Sequence, residues 1–101
     1  MAQPFPNHPN LRGGFAPLQM ECDVNDLVIQ GEVPKELSGS FYRNGPNPQY
    51  SPRGHYHWFA GDGMIHAFNV EDGRVSYRNR WVQTVKWQKE REAGRALFGA
   101  F

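Results

Sequence analysis

The chain has 101 residues, enough for one small domain, with 39% hydrophobic, 14% aromatic and 21% charged residues. That is too apolar and too aromatic for a disordered tail, and eleven Gly with eight Pro suit a turn-rich β protein better than a helical bundle. Eleven basic against ten acidic residues leave a net charge of +1, which gives no electrostatic support for nucleic acid or an anionic surface as partner. A single cysteine, Cys22, excludes an internal disulfide framework and a Cys-rich zinc site. Apolar runs are only a handful of residues long, so no membrane span is expected. The N-terminus lacks a basic segment followed by an apolar one, so a cytoplasmic location is the expectation.

All prolines lie between Pro4 and Pro52, which divides the chain into a punctuated first half and a regular second half. Residues 1–20 read as an extended arm that needs another surface to order it, and 21–101 as the β portion. Asp26 to Val33 reads as a short strand closed by Pro34, and Phe41-Tyr42-Arg43 as a second. The second should stop at Asn44-Gly45-Pro46-Asn47-Pro48, where two residues lack N–H donors. His55 to Ala60 reads as a third strand, Gly61-Asp62-Gly63 as a tight turn and Met64 to Val70 as a fourth strand. Glu71-Asp72-Gly73 makes a hairpin loop, with Gly73 suited to positive φ. Arg74 to Lys86 reads as a long fifth strand with Val75, Tyr77, Asn79 and Trp81 on one face. A short charged helix is expected over Gln88–Ala93, broken near Gly94. The apolar ending Leu97, Phe98, Phe101, with no cap or turn, suggests the leading part of a longer protein.

Five groups could carry chemistry. His55 and His57 leave one strand face, and His66 could approach them across the Gly61–Gly63 turn, giving a conceivable three-histidine metal site. Without a carboxylate or fourth histidine at fixed spacing, ordinary strand histidines are the plainer reading. Gly61-Asp62-Gly63 lacks the Lys-Ser/Thr of a phosphate loop and the oxygen spacing of a calcium loop. A turn whose Asp62 caps its own backbone is the simpler expectation. Cys22 has no local support as a nucleophile and reads as a small apolar residue. Arg74, Arg78 and Arg80, interleaved with Tyr77 and Trp81, could stack single-stranded nucleic acid, but the balanced charge favours a solvated strand face. The many aromatics, Phe41, Tyr42, Trp58 and Phe68 among them, divide between core and the lining of an apolar ligand cavity.

Three stretches in order resemble the carotenoid cleavage oxygenase family, which includes the lignostilbene dioxygenases. They are Phe41-Tyr42-Arg43-Asn44-Gly45-Pro46-Asn47-Pro48, His57 to His66 with its Gly61-Asp62-Gly63-Met64-Ile65-His66 core, and Asp72 to Arg80. Gly31 to Gly39 also matches, and the tail from Lys86 to Phe101 is similar to the bacterial stilbene-cleaving branch. The resemblance covers the chain from about residue 17.

The resemblance implies an all-β fold, with these residues supplying the first strands of a seven-bladed β-propeller. It implies Fe(II) held by four histidines outside this segment, so that neither His8, His55, His57 nor His66 is a ligand. It implies cleavage of a conjugated C=C bond by O2 to two carbonyl products. Phe59 matches a phenylalanine that packs on the substrate, and Phe101 falls where the stilbene-cleaving branch usually has a tyrosine that bonds the substrate's phenol. Loss of that hydroxyl leans the expectation towards a carotenoid or apocarotenoid, with a lignostilbene-type substrate as the alternative. The implied partners are an apolar polyene or stilbene and O2, with no nucleic acid; peripheral membrane contact is left open. Outside this reading stand a non-catalytic β module that binds a ligand or partner, and a free-standing domain with a His55/His57/His66 metal site. The isolated segment is expected to be inactive and poorly soluble, because unpaired strand edges would be exposed.

Overall fold

The computed structural model describes residues 4–52 and 61–98. The third strand expected over His55–Ala60, and with it Phe59, lies outside the described residues, as does Phe101. The described strands are β1 (Asp23–Val24), β2 (Gly39–Pro46), β3 (Gly63–Glu71) and β4 (Arg74–Trp81), followed by the helix α1 (Val85–Ala93). They form one open antiparallel sheet in the order β1-β4-β3-β2.

The β3–β4 hairpin is the most local element. Asp72 (φ 49°) and Gly73 (φ 77°) both take positive φ, the type I′ geometry whose twist matches the strands it joins. This sets the register Glu71↔Arg74 through Met64↔Trp81. The expected alternation holds at the Trp81 end, where Asn79 and Trp81 are buried and Arg78 and Arg80 are exposed, whereas Val75, Ser76 and Tyr77 are all half-buried. Phe41, Phe68 and Tyr77 line up across three strands, with ring centroids 6.4 and 4.9 Å apart.

Three expectations are corrected. The strand expected over Asp26–Val33 is absent; pairing stops at Val24, with one further bond from the Leu27 amide to the Val75 carbonyl (2.8 Å). Val28 is 97% exposed, so the β-rich composition there has no partner strand or core among the described residues. The second strand runs on through Gly45 to Pro46, pairing with Met64 and Gly63. Proline is tolerated because β2 is an edge of the described sheet. The fifth strand ends at Trp81 rather than Lys86, and the helix starts at Val85 rather than Gln88. Thr84 decides this: its hydroxyl accepts the Trp87 amide (3.1 Å) as an N-cap, overriding the β character of Val82 and Val85. The expected break at Gly94 is present, as a left-handed cap (φ 71°) whose amide bonds the Glu90 carbonyl.

The core is small. Met64, fully enclosed, packs with Trp81 and Trp87, whose rings lie 6.2 Å apart where α1 meets the sheet. Two 3-10 turns, Pro9–Leu11 and Gly13–Phe15, interrupt the stretch read as extended. Side-chain amides then clasp the chain that follows. Asn47 accepts the Leu18 amide (2.7 Å) and donates to the Leu18 carbonyl (2.8 Å). Asn79 accepts the Cys22 amide (2.6 Å), and Glu21 accepts the Trp81 amide (2.9 Å).

Candidate functional site

Asp62 stands at the start of β3 with its side chain 4% exposed. Its backbone carbonyl accepts the Asn47 amide (2.6 Å), and its Oδ2 accepts the Gln49 amide (3.1 Å). Its Oδ1 accepts Lys86 Nζ (2.9 Å). The self-capped turn expected from sequence at Gly61-Asp62-Gly63 is therefore corrected: Asp62 bonds the Asn47–Gln49 segment and α1 instead. The physical reason is burial: an enclosed carboxylate needs a cation and amide donors, and its own turn supplies neither.

Lys86 also donates to Glu90 Oε1 (3.1 Å), one turn along α1. Glu90 is 2% exposed, and its Oε2 accepts the amides of Leu97 (2.9 Å) and Phe98 (3.2 Å). Burial works against the charge on Lys86, but Asp62 and Glu90 outweigh it and hold the ammonium above its ordinary range. One cation thus ties the backbone before β3 to the backbone after α1. Sequence reading missed this because it placed Lys86 on a strand; the available signal was the Lys-Glu spacing of four in a helix capped by Thr84.

His66 is the member of the histidine trio within the described residues; His55 and His57 lie outside them. Its Nδ1 lies 2.7 Å from the Tyr77 hydroxyl, with the two rings stacked. Burial, and then the nearby Arg43, lower its pKa, which favours the neutral ring. Among the described residues no group of three or more His, Cys, Asp or Glu could hold a metal ion. The described residues therefore do not fit the iron that the resemblance implies, and no chemical step is assigned to them through it.

Cys22 is half-buried and works through its backbone: it donates to Asn79 Oδ1 and accepts the Asn79 amide (3.1 Å). On the opposite sheet face, Arg78 and Arg80 both meet Asp23, at 3.0 and 2.9 Å, and all three are substantially exposed. That is a solvated ion-pair face, and screening there limits its energetic weight. Between the N-terminal residues and the sheet, a cavity of about 320 Å³ is lined by Leu18, Arg43, Asn47 and His66.

Residues 15–101 match the family model described as retinal pigment epithelial membrane protein. Isoeugenol monooxygenase of Pseudomonas nitroreducens is 44% identical over 101 residues, covering all of this chain and 21% of that protein. Carotenoid 9,10(9',10')-cleavage dioxygenase 1 of Pisum sativum is 49% identical over 84 residues, covering 82% of this chain and 16% of that protein. The crystal structure of Pseudomonas brassicacearum lignostilbene dioxygenase superposes with a TM-score of 0.90 at 41% identity, over 97% of this chain and 21% of that one. The chain spans about a fifth of the length of these relatives.

Proposed function

Because the chain belongs to the retinal pigment epithelial membrane protein family, the carotenoid cleavage oxygenases, we propose that it is part of an oxygenase that cleaves a conjugated C=C bond with O2 to give two carbonyl products. The observation that carries this is the near-complete superposition on the lignostilbene dioxygenase, from the N-terminal turns to the segment after α1. The fold of the whole protein is then a seven-bladed propeller, of which these strands form part. Ferrous iron, bound by histidines elsewhere in the protein, supplies the oxygen chemistry; a metal with vacant positions and neutral imidazole ligands suits that task. In this reading the described residues form wall, and Phe59 and Phe101, which lie outside them, are the apolar substrate contacts that the family resemblance implies.

The substrate class that the superposition favours is an aryl alkene, a stilbene or a propenyl phenol. The polyene reading, a carotenoid or apocarotenoid, keeps two supports: the identity with the pea enzyme, and a phenyl ring at position 101, which offers a phenol no hydrogen bond. The test is to incubate the iron-loaded full-length protein with trans-4-hydroxystilbene and with an apocarotenal, and to identify the aldehydes by mass spectrometry. Aromatic aldehydes from the stilbene are expected. Aldehydes from the apocarotenal alone would establish the polyene reading, and cleavage of neither would refute the proposal. Phe101→Tyr is expected to raise turnover of the hydroxystilbene and leave the apocarotenal unaffected.

A further inference from the structure

We propose that the cavity between the N-terminal turns and the sheet is a binding site for a small carboxylate, whose charge Arg43 meets and whose apolar body Leu18 and Pro46 enclose. The site is independent of the reaction proposed above. Arg43 and His66 are register partners on adjacent strands, so both side chains leave the same sheet face, and both line this cavity of about 320 Å³. That volume lies within the ordinary range of small-molecule pockets. Across from them, Ala16 and Leu18 come from the N-terminal segment. Asn47 holds that segment in place, spending both ends of its side-chain amide on Leu18.

The charge balance selects the ligand. All ten acidic residues of the chain fall among the described ones, and none of them pairs with Arg43. Among the described residues no carboxylate lines the cavity. Two hollows of similar size differ in this: Arg74 shares one, of about 350 Å³, with Glu71 and Asp72, and Arg78 shares the other, of about 330 Å³, with Asp23. Arg43 thus presents a planar fork of donors to a cavity that holds no anion of this chain's own. His66 adds a second donor. The Tyr77 hydroxyl engages Nδ1 (2.7 Å), and when it donates there, Nε2 carries the hydrogen and can give it to an oxyanion. Burial and Arg43 favour the neutral ring, so the pair carries one positive charge at neutral pH. One charge matches a carboxylate rather than a phosphate dianion. Leu18, Ala16 and Pro46 offer apolar contact to the rest of the ligand, which suits an aryl or short alkyl acid.

The test titrates benzoate, its neutral counterpart benzamide and inorganic phosphate into the full-length protein at neutral pH, read by calorimetry. The titrations are repeated with Arg43→Gln and with Arg74→Gln, the latter a control for loss of a positive charge elsewhere on the sheet. Arg43 is exposed, so its replacement is expected to leave the fold intact. The imidazole resonance of His66, assigned by its loss in His66→Gln, locates the ligand independently of any Arg43 variant. Benzoate is expected to bind the parent protein and Arg74→Gln with a Kd of about 1 mM or lower and to shift the His66 resonance. Arg43→Gln is expected to weaken it about tenfold or more, the loss of charged hydrogen bonds, and benzamide and phosphate are expected to bind the parent about tenfold more weakly than benzoate. Absence of saturable benzoate binding would overturn the proposal, as when a carboxylate from elsewhere in the protein fills the cavity. Equal affinity in Arg43→Gln, or an unmoved His66 resonance, would place benzoate at another site and overturn it too. Phosphate binding more tightly than benzoate would overturn the carboxylate assignment.

Discussion

Replacing Asn47 by alanine should release the N-terminal residues without unfolding the sheet. The side chain makes two hydrogen bonds, both to Leu18 (2.7 and 2.8 Å), and Asn47 itself is 5% exposed. Its backbone bonds, from its amide to the Asp62 carbonyl and from Trp81 Nε1 to its own carbonyl, survive the truncation. Leu18 is 44% exposed, so its freed amide and carbonyl turn to water rather than remaining buried and unpaired. The loss is then the net worth of two hydrogen bonds at about 1 kcal/mol each, or about 2 kcal/mol in all. It falls on local opening rather than on global stability. Hydrogen exchange on the full-length protein reads this directly: the Leu18 amide should exchange about 30-fold faster, the rate equivalent of about 2 kcal/mol, while amides of β3 and β4 keep their protection. Unchanged protection at Leu18 would refute the clasp. A uniform fall across the sheet would show instead that Asn47 serves the core.

Met64→Ala empties the centre of the Met64–Trp81–Trp87 cluster and is expected to cost about 2–5 kcal/mol, read as a lower urea midpoint. His66 gives a pH dependence whose sign is fixed. Its folded pKa lies below the ordinary 6.5, so its contribution is present above pH 6.5 and is lost as pH falls through the depressed value. Urea midpoints of the parent protein should therefore fall from neutral pH to about pH 5 more steeply than those of His66→Gln, and equal slopes would contradict this.

The most local features were legible in the sequence. The Asp72-Gly73 pair specifies a turn type by itself, and the alternation over Arg78–Trp81 matches which face is enclosed. Elements whose fate depends on distant partners were not. Asp26–Val33 has strand composition but pairs with no strand among the described residues beyond the Leu27 bond, and Val85 has β character but follows a capping threonine. The clasps by Asn47 and Asn79 join residues 29 and 57 apart, and an asparagine in a loop or strand carries no mark of such a partner. The same holds for Asp62 with Lys86, 24 residues apart. Of the proposed substrate contacts, Phe59 and Phe101 were drawn from likeness to a family; composition and spacing alone do not separate them from ordinary core rings.

The hairpin turn at Asp72-Gly73 also orders events in time. Its strands meet across two residues, so they pair in microseconds, whereas Glu21 finds the Trp81 amide only across 60 residues of chain. During synthesis Leu18 and Cys22 emerge before the asparagines that will receive them. Both therefore stay unclasped until those asparagines follow, and the backbone around them is open to chaperones or proteases in that interval.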